Sequence, residues 1–291
     1  MATPPTRVRL AFSPDSDDLF MFWPLLSGKI DPENFIFEAE RADTEALNAR
    51  AAAADIDVLA VSVARWPSIA RDYLLLPHGM SVGRGYGPVV VARQARELES
   101  LRGRRIAVPG LRTTSYVVLR LLLSEFEPVV VPIAPYALAF DAVRSGDVEA
   151  ALIIHEGRLT YAREGLAAVC DLGERWALTT GGLPLPLGGN AIRRGLGPAS
   201  IAHVSRLVRS SIAWSLAHRA ETMQALLDRE SRTDLDLDPK LLDRYLAMYA
   251  NADTIEAPPD VRAAIDELFA RARGRGLLDG PARVEFAPSG A

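Results

Sequence analysis

The chain has 291 residues, 49% hydrophobic and 24% charged, which fits one large domain or two of moderate size and excludes a disordered polypeptide. Its 33 basic and 37 acidic residues leave a formal net charge of -4 and are scattered along the whole length, so there is neither a nucleic-acid footprint nor a basic membrane-binding helix. The single cysteine, Cys170, excludes an internal disulfide framework, and the four histidines are too far apart for zinc-type spacing.

The amino terminus, "MATPPTRVRLAFSP", has no signal-peptide apolar core, and no window approaches the roughly 20 apolar residues of a membrane span. A small-molecule partner and a cytoplasmic location are therefore expected. Oligomeric state is not legible at this level.

In chain order, "RVRLAF" (7 to 12), "FIFEAE" (35 to 40) and "DVLAVSV" (57 to 63) read as strands, with helical spacing over about 18 to 28, 44 to 54 and 64 to 73. Alternation of this kind builds crossover units on a mostly parallel sheet. "GRGYGP" (83 to 88) resembles a dinucleotide loop only superficially. It runs into the strand "PVVVAR" rather than into a helix, so it reads as a connection between lobes.

A second α/β series follows: "RRIAVPG" (104 to 110), a helix over 115 to 126, "PVVVPI" (128 to 133), a helix near 138 to 146, "VEAALII" (148 to 154) and "AAVCDL" (167 to 172). The proline- and glycine-rich "LPLPLGGNAIRRGLG" from residue 183 then reads as a strand crossing back to the first lobe. Residues 198 to 277 read mostly as amphipathic helix, broken by "RESRTDLDLDP" and "EAPPD". The expected architecture is α/β and two-lobed, with residues 1–88 and 185–291 in a larger lobe, 89–184 in a smaller one, and a cleft between them.

In open parallel sheets ligands settle beyond the carboxyl ends of the strands, where helix amino termini gather. Here the first strand ends in "SPDSDD", with Ser13 and three acids of which helix capping explains at least one. The third carries Ser62 near its end. The strand over 104 to 110 leads into "LRTTSY", so that Thr113, Thr114 and Ser115 start a helix, with Arg112 beside them. Hydroxyls beside free N–H groups make an oxyanion site, although capping alone accounts for one hydroxyl per helix. The strand over 148 to 154 stops at His155, the residue type that titrates near neutral pH and serves as an acid or base when positioned. A lone histidine at a strand end is more often a hydrogen-bonded structural residue than a base; the company of three other polar strand ends singles this one out.

His78, His203 and His218 have no such company. Cys170 in "AAVCDL" reads as a buried thiol. No G-x-S-x-G elbow, Walker loop or kinase glycine loop occurs. Acid–base chemistry, or binding alone, is what this pattern leaves.

The motifs "GRGYGPVVVAR", "AVPGLRTTSY", "LIIHEGRLTY" and "GLPLPLGGNAIRR", in this order over about residues 7 to 275, resemble the 1,4-dihydroxy-6-naphthoate synthase family of the futalosine route to menaquinone. The resemblance implies a periplasmic-binding-protein-like fold (type II) used as an enzyme with no metal or organic cofactor. It implies cleavage of cyclic dehypoxanthine futalosine to 1,4-dihydroxy-6-naphthoate with loss of a three-carbon fragment. His155 would be the general base. Ser62 with the backbone of Ala60 and Val61, the pair Thr114 and Ser115, and Ser13 and Thr113 nearby would hold the anionic substrate.

Two departures stand out. The family commonly begins Ser-Pro-Cys-Pro-Asn-Asp, whereas Asp15, Ser16 and Asp17 replace the Cys, Pro and Asn here; and some relatives carry a lysine where Ala60 stands. Extra carboxylates near an anion site repel the substrate unless they face hydroxyls. Chorismate dehydratase, a sister enzyme, and a non-enzymatic solute-binding protein are the alternatives the fold allows.

Overall fold

The computed structural model describes residues 4–133, 135–229 and 238–289, and its strands form two sheets. In the first, β1 (Thr6–Phe12) lies between β2 (Phe35–Arg41) and β3 (Val58–Ser62) in parallel register. The next strands in sequence, β4 (Tyr73–Leu75) and β5 (Ser81–Gly83), do not extend that ladder. Both pair with β11 (Leu185–Arg193), which in turn pairs antiparallel with β3. The second sheet has the order β10 (Ala167–Asp171), β6 (Val89–Ala92), β9 (Ala150–Ile153), β7 (Arg105–Val108), β8 (Glu127–Val130).

The expected mostly parallel sheets need one correction: each sheet is mixed. All strands in a sheet run the same way except one, β11 in the first and β6 in the second. These are the two strands by which the chain passes between sheets. A strand entering from the other sheet arrives from the side where the resident strands end, so it must run against them. Because β11 and β6 sit inside their sheets, each makes antiparallel ladders with every neighbour.

The glycine-rich connection links the two sheets, since residues 84–88 join β5 to β6. Gly85 has φ +73°, and a side chain on Gly83 would collide with the Tyr86 carbonyl, so this tight turn needs glycine at both places.

Helix Ser16–Leu26, which follows β1, shows how sequence sets packing. Pro24 lacks an N–H, leaving the Phe20 carbonyl without its helical donor. Ser215 Oγ, from helix Pro198–Ala217, donates to that carbonyl at 2.6 Å, and Ser211 Oγ donates to Met21 O one residue on. The helix buries Phe20 and Phe22 completely, each worth about 1.5–3 kcal/mol of apolar burial. The same helix carries Asp17 and Asp18 in its first turn, directly after Asp15.

Helix 44 to 54 of the sequence reading is shorter, Thr44–Arg50, followed by a tight turn ending at Ala54. Helix 64 to 73 shrinks to Trp66–Ile69, with the 3-10 turn Val63–Arg65 before it and Pro67 in its first turn. A helix at Leu172–Thr180 was not predicted; Asp171 caps it by accepting from Gly173 N and Glu174 N. The carboxyl-terminal region is helical as expected, and "EAPPD" interrupts it between Ile255 and Pro259. The other expected break, the polar segment centred on 230–237, lies outside the described residues.

Candidate active site

The four strand ends meet. A cleft enclosing about 750 Å³ of empty space, its open mouth included, is lined by Ser13 after β1, Ala60, Val61 and Ser62 of β3, Thr113, Thr114 and Ser115 after β7, and His155 after β9. All eight residues singled out in the sequence therefore border one cavity. Both sheets contribute strand ends to it.

One wall is imidazole and carboxylate. β9 ends at Ile153, and His155 takes φ +51°, a left-handed conformation uncommon for a residue with a Cβ. The chain then turns at once into the short helix Gly157–Thr160. Gly157 permits this turn, since a side chain there would collide with Ile153 and Tyr136. The His155 side chain is 19% exposed, at the cavity edge; its Nδ1 lies 3.3 Å from Asp15 Oδ2 and 3.3 Å from Tyr245 Oη, and its Nε2 lies 3.3 Å from Thr44 Oγ1.

The three departures from the family's usual run all have partners in this wall. Asp15 is fully buried against His155. Ser16 donates both its N–H (3.0 Å) and its hydroxyl (2.6 Å) to Oε1 of Glu156, the residue after His155. Asp17 accepts from Tyr245 Oη at 3.0 Å and Ser81 Oγ at 2.7 Å. The capping role expected for these acids is not what they do. Asp15 occupies the cap position of helix Ser16–Leu26 without a side-chain cap bond, and Asp18 Oδ2 instead accepts from Ser13 N at 2.8 Å. Burial, then the charge of Asp17, pushes the Asp18 carboxyl up to about 7. The same burial and the surrounding acids push the Tyr245 hydroxyl well above its ordinary value, so it stays a donor.

The opposite wall is hydroxyl and backbone. Asn48, fully buried, grips Ser62 twice: Oδ1 accepts from Ser62 N at 2.9 Å and Nδ2 donates to Ser62 Oγ at 3.0 Å. Thr113 caps helix Thr114–Leu122, accepting from Tyr116 N, and its hydroxyl donates to Gly110 O at 2.9 Å and meets Ser115 Oγ at 3.0 Å. Thr114 Oγ1 donates to Leu187 O at 2.7 Å and accepts from Ala64 N at 3.1 Å. That hydroxyl ties the second sheet to β11, so an anion here would meet chiefly the first-turn N–H groups of the helix. Arg112 adds no charge to the cavity: its guanidinium reaches away to Glu45 Oε1 at 2.7 Å, bridging the two sides of the cleft.

Asn48, Thr44, Ser81 and Tyr245 are the site residues sequence reasoning missed; Asp15 was named among the strand-end acids, but its contact with His155 was not read. The remaining histidines sit elsewhere. His78 is buried with Nδ1 2.6 Å from Ile255 O, His203 pairs with Glu33, and His218 stacks on Trp214. Cys170 is buried, which pushes its thiol up to about 11 and away from nucleophilic use. Among the described residues there is no group of three or more metal-ligating side chains, and no helix is long and apolar enough to cross a membrane.

Two mixed sheets around a shared cavity place the chain in the class of two-lobed, periplasmic-binding-protein-like folds. The alkanesulfonate-binding protein of Xanthomonas axonopodis pv. citri has that fold, matching at TM-score 0.72 and 17% identity with 99% of each chain covered. A crystal structure of an Archaeoglobus fulgidus protein matches at TM-score 0.87 and 39% identity, covering 94% of this chain and 98% of that one. A model of the menaquinone biosynthesis family matches residues 8–274, and the chain belongs to that family. It is 38% identical to the 1,4-dihydroxy-6-naphthoate synthase of Thermus thermophilus over 270 residues, 93% of this chain and 95% of the relative. The chain is an enzyme of menaquinone biosynthesis.

Proposed function

We propose that this enzyme is a cytoplasmic lyase that converts cyclic dehypoxanthine futalosine to 1,4-dihydroxy-6-naphthoate, with His155 as general base. The observation that carries the reading is the placement of the imidazole of His155 on the same cavity as Ser62 and the helix start at Thr114. A base and an anion-binding wall face each other there. Residues 1–88 and 185–291 form one lobe in this reading and 89–184 the other, with the substrate between them.

The anionic end of the substrate would rest on the N–H groups of Thr114 and Ser115 and on Ser62, with Ser13, Thr113 and the backbone of Ala60 and Val61 nearby. Its sugar-derived part would then lie toward His155, which takes a proton from it. Fragmentation releases a three-carbon piece, and aromatisation of the new ring supplies driving force the protein need not provide. The protein's work is to place the base and exclude water.

Incubation of the pure protein with cyclic dehypoxanthine futalosine, followed by chromatography, tests the reading: the naphthoate is the expected product. No product from that compound, with formation of 3-enolpyruvylbenzoate from chorismate, would reassign the chain to the sister dehydratase. Tight binding of a small anion without turnover of either compound would count for a solute-binding role.

A further inference from the structure

The hydrogen-bonding roles of the groups around His155 decide which ring nitrogen holds a proton. Asp15 Oδ2 lies 3.3 Å from Nδ1, at ion-pair distance, and a carboxylate oxygen there offers the ring only lone pairs. Tyr245 Oη, also 3.3 Å from Nδ1, gives its proton to Asp17 Oδ1, so it too offers only lone pairs to the ring. Both neighbours of Nδ1 are acceptors, and the proton belongs on Nδ1. In the neutral ring Nε2 then carries the lone pair, beside Thr44 Oγ1, a hydroxyl able to donate to it.

The local fold commits Asp15 to this contact. It stands at the cap position of helix Ser16–Leu26 with extended backbone (φ -72°, ψ 151°), yet its side chain caps nothing. Glu156 takes the neighbouring Ser16 N–H instead. Relieved of capping, the buried carboxylate of Asp15 points at the imidazole.

We propose that Asp15 is a positioning residue for His155. By accepting Nδ1–H it fixes Nε2 as the basic atom, orients the ring at the cavity edge, and stabilises the imidazolium that proton abstraction creates. Tyr245, held by Asp17, is the second arm. The inference rests on reading His155 as the base. In the step itself one proton passes from substrate carbon to Nε2, the ring becomes a cation, and the Asp15 carboxylate stays ionised. The other charged groups near the ring are Asp17 and Asp18 on the same turn as Asp15, and Glu156, which is turned to Ser16 and Tyr136; Thr44 and Tyr249 are neutral, and no Lys or Arg lines the cavity among the described residues.

Two measurements test this. In ¹⁵N-histidine-labelled wild-type protein, with the His155 signals assigned by their loss in His155→Gln, the neutral ring is expected to carry its proton on Nδ1. In Asp15→Asn, kcat is expected to fall about 10²-fold or more with KM changed less than about 3-fold. The acidic limb of its kcat/KM profile is expected to move to lower pH by about a unit, because the imidazolium loses its neighbouring anion. A neutral ring protonated on Nε2, or a folded Asp15→Asn protein with kcat and acidic limb unchanged, would overturn the proposal. If the variant does not fold, the wild-type tautomer decides by itself. A wild-type protein that does not turn over removes the proposed reaction and leaves the tautomer to be read; an active protein with the Nε2–H ring removes the Asp15 proposal and leaves the reaction.

Discussion

The two walls of the cavity solve opposite electrostatic problems. On the His155 side, Asp15, Asp17 and Asp18 crowd into one turn, and their charge is taken up by protein groups: an imidazole, the hydroxyls of Tyr245 and Ser81, and the Ser13 N–H. On the facing side, Ser62 and the start of helix Thr114–Leu122 offer donors, and the nearest carboxylate, Glu45, is occupied by Arg112. In the proposed reaction, acids concentrated on one wall leave the other for the anionic end of the substrate. The lesson is that the departures from the family's usual amino-terminal run need not repel a carboxylate, because they are spent within their own wall.

Reversing the charge of the donor wall tests this division most severely. Ser115→Asp puts a carboxylate in the first helical turn, where the helix dipole offsets part of the cost of burying it beside Thr113. KM is expected to rise at least about 100-fold, because the new charge meets the substrate's anionic end without a cation nearby. An unchanged KM would move the anion site elsewhere.

A smaller effect is expected from Asn48→Ala, which releases Ser62 without touching the cavity charge. KM should rise about 10-fold with kcat nearly constant, and stability should fall by about 1–3 kcal/mol as the buried Ser62 groups lose their partners. Steady-state kinetics and denaturant melts separate the two.

The smallest effect concerns the acidic wall alone. The Asp18 carboxyl, near 3.8 when unfolded, titrates at about 7 in the folded protein. Between those values the folded chain holds a proton that the unfolded chain has released, so the stability Asp18 contributes is complete below that window and is lost as pH rises through about 7. Asp18→Asn keeps an acceptor for Ser13 N and cannot ionise. Its Tm is expected to drop less than that of the wild type between pH 5 and pH 8; equal drops would show that Asp18 is ionised throughout.

Strand ends were legible in the sequence because a β-branched run that stops at Ser13, Ser62 or His155 is a local pattern, and the crossover rule then puts all such ends on one side. The contact of Asp15 with His155 was not, because cap preference is also local, and the group that relieved it of capping, Glu156, lies 140 residues from Ser16. Asn48 and Tyr245 sit on helices whose polar residues look like ordinary surface until the tertiary fold turns them inward. The bond from the Thr114 hydroxyl to Leu187 O, 73 residues away, is likewise a tertiary contact that no local pattern announces. Strand direction escaped for a related reason: periodicity identifies β6 and β11 as strands but does not say from which side the chain enters them.

Parallel incubation of wild-type protein and His155→Ala with cyclic dehypoxanthine futalosine, following both calorimetric binding and product, tests the account most directly. The wild type is expected to form 1,4-dihydroxy-6-naphthoate, and the variant to bind the substrate while its turnover falls at least about 10³-fold. Product formed at a comparable rate by the variant, or none by the wild type, would contradict it.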